Sequence, residues 1–356
     1  MNTRIISGWL IAGVCGQLLS LPAPAHTTNG QWSGNGATLR AAQVSFPSGN
    51  SYRTALGTVV SRWNQNPSNF RFTQLYDDTS VGFNNGQSEV WFSSDSGKCS
   101  PAVTYWWKSW LTGKITETDI CFYNGVSYTT SMNKTSIWPY GGAYRPFETT
   151  AMHEYGHALG LGHEADEYNI MGQDWTHISL NGSTARSYSG EDADNGAVAL
   201  YGLYSNGTVE DVGVVHMKRT GASGEYSSHG LTKMYSSTGA ELPYNSFDGQ
   251  RRYYVSKGQT VQVEFTYENN GESTQYPSVG FYISTNSTIS TGDTQFYSFN
   301  LTLSRDDVYT YTRTVTIPNN LASGSTYYLG AYIDWNSAIN EVTASNNAAY
   351  HIIQVY

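Results

Sequence analysis

The pattern of residues along the chain predicts two folded units in series, an α+β domain followed by an all-β sandwich. Between about residue 26 and residue 204, stretches with helical spacing alternate with stretches of strand character. Beyond residue 250 only period-two alternation remains, in short runs separated by Asn, Gly, Ser and Pro. The polar triplet Ser205-Asn206-Gly207 marks the joint.

The elements follow in order. Leu56, Val59, Val60 and Trp63 fall on one face of a helix over 52–64, which Asn66-Pro67 punctuates. Segments 88–93 and 115–123 read as strands. Pro146 precedes a helical stretch over 147–159 and suits a first turn. A last helix over 191–201 has acidic residues at its start and Gly202 just past its end. Residues 205–250 form a transition of strands and turns. In 251–356, Val261, Val263, Phe265 and Tyr267 alternate as one face of a half-buried strand. Segments 279–284, 309–317 and 327–334 repeat that pattern.

The first 25 residues have the three parts of a secretory signal. Arg4 is the positive region, 5–21 is largely apolar, and Ala23-Pro24-Ala25 fits a small-residue cleavage site. Gly8, Gly13, Gly16 and Gln17 interrupt the apolar run and weaken it as a membrane anchor. No later segment is long and apolar enough to span a bilayer. The expectation is therefore a secreted protein without a transmembrane anchor after cleavage, with periplasm or cell surface as alternative destinations.

Charged residues make up only 13% of the chain and the formal charge is −9, so no basic stripe exists and nucleic acid is not an expected partner. Aromatic residues at 14% can supply large buried areas, which excludes a disordered class. Beyond the signal two cysteines remain, Cys99 and Cys121. An even pair in an oxidising compartment favours a disulfide, which closes a loop and stabilises the fold by about 3 kcal/mol. The rival reading, a thiol that ligates a metal and keeps an enzyme latent, lacks a recognisable latency motif.

The chemistry is concentrated in His153-Glu154-Tyr155-Gly156-His157-Ala158-Leu159-Gly160-Leu161-Gly162-His163. Residues four apart on a helix share a face, so His153 and His157 can offer nitrogens to one metal. His163 joins them only if the helix stops first, and Gly160 can turn the chain there without steric penalty. Three histidines leave a fourth tetrahedral position for water, as a catalytic zinc site does. Glu154 stands beside the first histidine, placed to accept a proton from that water.

This run resembles the extended motif of the metzincin zinc endopeptidases. Asn169-Ile170-Met171-Gly172 resembles the methionine turn of that family, at matrixin-like distance, with Met171 beneath the histidines. Where other metzincins place a ligating tyrosine two residues beyond the methionine, this chain has Gln173, and no such ligand is expected. Segment 115–120 resembles the strand before the active-site helix, and 191–202 resembles the matrixin C-terminal helix. No inhibitory propeptide is recognisable.

The resemblance implies a metzincin-like catalytic domain over 26–204, one zinc ion, and protein or peptide substrates bound along an exposed strand. Counting back from Ile115, that strand holds Val103, Thr104 and Tyr105, followed by Trp106 and Trp107. Ordinary edge-strand packing is the competing reading of those aromatics. The last 106 residues, 251–356, resemble bacterial adhesion-related immunoglobulin-like domains. That resemblance implies a tether to a protein, glycan or cell surface. Asp334, Asn336, Asn340, Glu341, Asn346 and Asn347 could bind calcium, although such residues more often make turns. The alternative for the whole chain is a secreted adhesion protein with a structural metal. His177 is the nearest candidate for the fourth side-chain ligand which that reading needs.

Overall fold

The computed structural model describes residues 26–356; the expected signal segment, with Cys15, lies outside the described residues. Five strands of the first half form one sheet in the order Arg71–Asp78, Gly36–Ala42, Glu89–Ser93, Ile115–Tyr123, Ala102–Lys108. Successive pairs are parallel except the last, in which Ala102–Lys108 runs antiparallel to Ile115–Tyr123. Ala102–Lys108 is consequently an edge.

Helices Ser51–Trp63 and Phe147–Leu159 pack on one face of this sheet. The alternation of the strands explains why. Val90, Ile120 and Phe122 point toward the helices, whereas Trp91 and Cys121 point to the opposite face with Cys99. Trp63 is fully buried and its indole donates to the Met152 carbonyl at 3.0 Å, tying the two helices together. The Cys99–Cys121 disulfide forms, with Cα atoms 5.3 Å apart, and staples the short helix Ser96–Cys99 to the strand Ile115–Tyr123.

The second half is a two-layer sandwich. One sheet is centred on Thr260–Asn269, which pairs with Val308–Thr316, Val212–Val215 and Met234–Ser236. The other has six strands in the order Tyr244–Phe247, Gln250–Val255, Ala348–Val355, Thr326–Ile333, Ser278–Ser284, Thr294–Asn300. Their inward faces bury Val261, Val263, Phe265, Phe281, Leu329 and Ile353 together. Residues 205–250, expected as a transition, supply strands to both sheets. They also supply a separate hairpin, Met217–Ser223 paired with Tyr226–Leu231, which leaves the sandwich.

The two halves share a third buried cluster. Ile137, Tyr140, Ile178 and Leu180 of the first half pack with Val215, Met217, Tyr350 and Ile352 of the second. Among the described residues, no helix is long and apolar enough to cross a membrane. Asp334 and Glu341, considered above for calcium, accept hydrogen bonds within the fold. The Asp334 carboxylate takes the amides of Ala338 and Ile339, and Glu341 takes the amide of Val212 and the side chain of Asn347.

Candidate metal centre

Helix Phe147–Leu159 carries the first two histidines. Its end is held by residues from distant parts of the chain. The last carbonyls of a helix have no partner inside it. Here the Trp106 indole donates to His157 at 2.8 Å, the Trp32 indole to Ala158 at 2.8 Å and the Tyr201 hydroxyl to Leu159 at 2.6 Å. The Gly160 carbonyl accepts the Asn29 amide at 2.7 Å. Gly160 itself has φ +125°, and a Cβ there would lie 2.3 Å from the Gly30 carbonyl oxygen. Only glycine fits, and the chain turns at that residue to bring His163 back toward the helix.

The three histidines meet. The Nε2 of His157 lies 3.1 Å from that of His153 and 3.0 Å from that of His163. Their Nδ1 atoms are all committed. His153 donates to the Ile170 carbonyl at 2.7 Å, His157 to the Leu161 carbonyl at 2.9 Å, and His163 to the Glu225 carboxylate at 2.9 Å. Those oxygens can only accept, so each Nδ1 carries the proton and each Nε2 presents a lone pair. Three converging acceptors repel one another unless a cation lies among them. Tetrahedral zinc, with Zn–N near 2.1 Å, places its nitrogens about 3.4 Å apart, so the donor set fits it. Burial holds the His153 pKa down at about 3 and that of His157 well below its ordinary value, keeping both rings neutral, as ligands must be.

Among the described residues these are the only three His, Cys, Asp or Glu side chains gathered closely enough to hold an ion. His177 does not join them. It is fully buried between the rings of Tyr168 and Tyr188, with centroids 4.6 and 4.3 Å away.

Met171 packs against the helix that carries the first two histidines, and the reason for Gly156 becomes clear there. A Cβ at Gly156 would lie 2.4 Å from the Met171 sulfur and 3.2 Å from the Trp63 ring. A glycine inside a helix costs about 1 kcal/mol relative to alanine, a signal that something packs against it.

Glu154 faces the same space. Its carboxylate accepts the Thr104 hydroxyl at 2.7 Å. Burial raises its pKa to about 8, opposed by that hydrogen bond. A dication nearby would favour the ionised form. Thr104 was expected as a substrate contact; its side chain instead turns to Glu154, because strand alternation sends Thr104 and Trp106 toward the helix. Tyr105 goes the other way, its hydroxyl donating to the Lys98 carbonyl at 2.9 Å and its ring packing on Phe83. Val103 is half-buried and pairs with Cys121 through the backbone.

A cleft of about 420 Å³ opens beside His153 and Glu154, lined also by Pro101, Ala102, Arg145, Trp175 and Tyr226. Arg145 carries no free charge, since Asp174 pairs with it at 2.5 Å. Tyr226 comes from the hairpin of the second half, and its ring centroid lies 4.1 Å from that of His163. The hairpin's other side chains at the site were not anticipated either. Its turn is legible, with Gly224 at φ +64° in a two-residue loop, but nothing local says where the turn docks.

Residues 37–202 match the matrixin family model. No curated protein matches the chain. Among solved structures, the chain is similar to the CARDB domain of a Pyrococcus furiosus protein, crystallised in complex with di-metal ions. That match is 16% identical, covers 43% of this chain and 95% of that one, and has a TM-score of 0.26. A solution structure of the same domain matches at 16% identity, over 41% of this chain and 95% of that one, with a TM-score of 0.25. Residues 37–202, with their three-histidine centre, thus match the matrixin family as a domain, and that match supports a zinc metallopeptidase in this part of the chain.

Proposed function

We propose that the protein is a secreted zinc-dependent endopeptidase that hydrolyses peptide bonds of protein substrates, with Glu154 as general base. The observation that carries this reading is the convergence of three Nε2 lone pairs beside a carboxylate that faces the same cleft. His153, His157 and His163 hold the metal. Bound zinc supplies Lewis-acid polarisation of the scissile carbonyl and acidifies a water molecule. Glu154 accepts a proton from the attacking water at a carboxylate oxygen and returns it to the departing amine. Thr104 holds that carboxylate in place through its 2.7 Å hydrogen bond. Strand Ala102–Lys108 pairs on one side only, and an extended substrate adds to its free side, backbone to backbone.

A structural site would complete its tetrahedron with a fourth side chain, and among the described residues no further His, Cys, Asp or Glu joins the three histidines. This favours the peptidase over an adhesion protein with a structural metal. The C-terminal sandwich tethers the enzyme to a protein or glycan at a cell surface. The test is metal content together with chelator-sensitive cleavage of casein by the full chain and by Glu154→Gln. The variant should keep its zinc and lose turnover; normal turnover in that variant, or a metal-free active protein, would overturn the reading.

A further inference from the structure

The matrixin match ends at residue 202, yet one wall of the cleft begins fifteen residues later. Hairpin 217–231 lies outside both sheets of the sandwich and docks on the metal centre. Ser227 is its anchor. The Ser227 amide donates to the Glu164 carbonyl at 2.7 Å, and its carbonyl accepts the Gln173 amide at 2.9 Å. Gly172 makes room for it, since a Cβ there would lie 1.8 Å from the Ser227 hydroxyl oxygen. The His229 amide donates to the Gln173 side chain at 2.9 Å, and Arg219 donates to the Ala165 carbonyl at 2.9 Å. The hairpin is thus clamped onto the methionine turn and the segment after the third histidine.

That clamp sets the position of Tyr226. Its ring lies tilted against that of His163, with centroids 4.1 Å apart, and 6.3 Å from that of His153; the residue is 39% exposed and lines the cleft. Together with Trp175, Pro101 and Ala102 it gives the cleft aromatic and aliphatic walls. Arg145 also lines it but is neutralised by Asp174, so apart from Glu154, which the chemistry uses, the cleft lining leaves no charged side chain unpaired for an acidic or basic substrate residue.

We infer that hairpin 217–231 of the C-terminal half is a wall of the substrate cleft, and that Tyr226 on it is a specificity-determining residue selecting a large uncharged side chain of the substrate. This rests on the peptidase reading above and adds that the two halves are one catalytic unit.

The experiment uses the full chain in three forms: parent, Tyr226→Ala and Tyr226→Phe. Each is profiled for cleavage preference on a peptide library, and each is combined with Glu154→Gln to measure affinity for the parent's preferred peptide. Tyr226→Ala should weaken that affinity about tenfold and flatten the preference for large uncharged residues, with zinc content unchanged. Tyr226→Phe, which keeps the ring, should recover most of the preference. A Tyr226→Ala protein that ranks and binds peptides like the parent would overturn the inference. If Tyr226→Ala loses zinc or its thermal transition, Ser223→Trp decides. That residue is exposed at the hairpin tip and lines the cleft, so the added ring should shift the preference toward small side chains. An unchanged preference there overturns the inference as well. Turnover by Glu154→Gln alone would instead strike at the peptidase reading, so the two failures are distinguishable.

Discussion

Two regions face each other across the cleft, and they are built on opposite principles. The helix and turn from 147 to 171 make their site from near neighbours. Two histidines lie four residues apart, a glycine ends the helix, and a third histidine returns six residues after the second. Hairpin 217–231 makes its contribution from far away, reaching His163 with Glu225 and Tyr226, more than sixty residues downstream. In the first region covalent spacing positions the ligands. In the second, backbone hydrogen bonds to Glu164 and Gln173 and an Arg219 side-chain bond to the Ala165 carbonyl position the side chains. Catalytic power should therefore reside in the first region, and the hairpin should tune which substrates it acts on.

The largest effect expected on this division is that of Glu154→Gln in the helical region. Steady-state assays should show turnover reduced by about 10³-fold or more, because a general base contributes about 10²–10⁴ and the amide cannot accept the proton. Next comes Thr104→Val, which removes the hydroxyl that holds Glu154. A hydrogen bond to a charged group contributes about 1.5–3 kcal/mol, so kcat should fall by at least about tenfold with KM little changed. An increase in KM alone would return Thr104 to substrate binding.

Gly160→Ala probes the turn between the second and third ligands. At φ +125° and 2.3 Å from the Gly30 carbonyl, a methyl group cannot be absorbed by a side-chain rotation. The variant should be destabilised by about 1–3 kcal/mol in thermal unfolding and should bind zinc more weakly in chelator competition. The smallest effect should come from Glu225→Gln. Its carboxylate reaches His163 Nδ1 at 2.9 Å but is 70% exposed, so solvent screens most of the interaction. Zinc affinity should change by no more than about tenfold, the weak end of what outer-shell partners contribute. A larger loss would make the hairpin part of the metal site and not only of the cleft.

How much of this was legible follows from sequence distance. The helix over 147–159, the strand over 115–123 and the helix over 191–201 coincide with the observed elements, because period and flanking residues mark them locally. The first strands, Gly36–Ala42 and Arg71–Asp78, carry weaker alternation and went unread; their parallel pairing brings together residues more than thirty positions apart. Thr104 was read as a substrate contact, and its hydroxyl turns to the Glu154 carboxylate. Counting along a strand identifies the edge, whereas the face each side chain presents depends on what packs there. Gly156 had a visible signal, glycine inside a helix, but its reason lies in a sulfur fifteen residues further on.

Spacing alone thus determined which three imidazoles converge. On a helix of 3.6 residues per turn, four residues bring two imidazoles to one face, and a glycine just beyond allows the reversal that adds the third. The tertiary structure decided what surrounds that centre. It selected Trp32, Trp106 and Tyr201 to cap the helix, turned Thr104 onto Glu154, and brought hairpin 217–231 over the cleft. Each of those contacts joins residues dozens of positions apart. A short window of sequence carries the period that builds an element, but not the identity of the distant surface against which that element comes to rest.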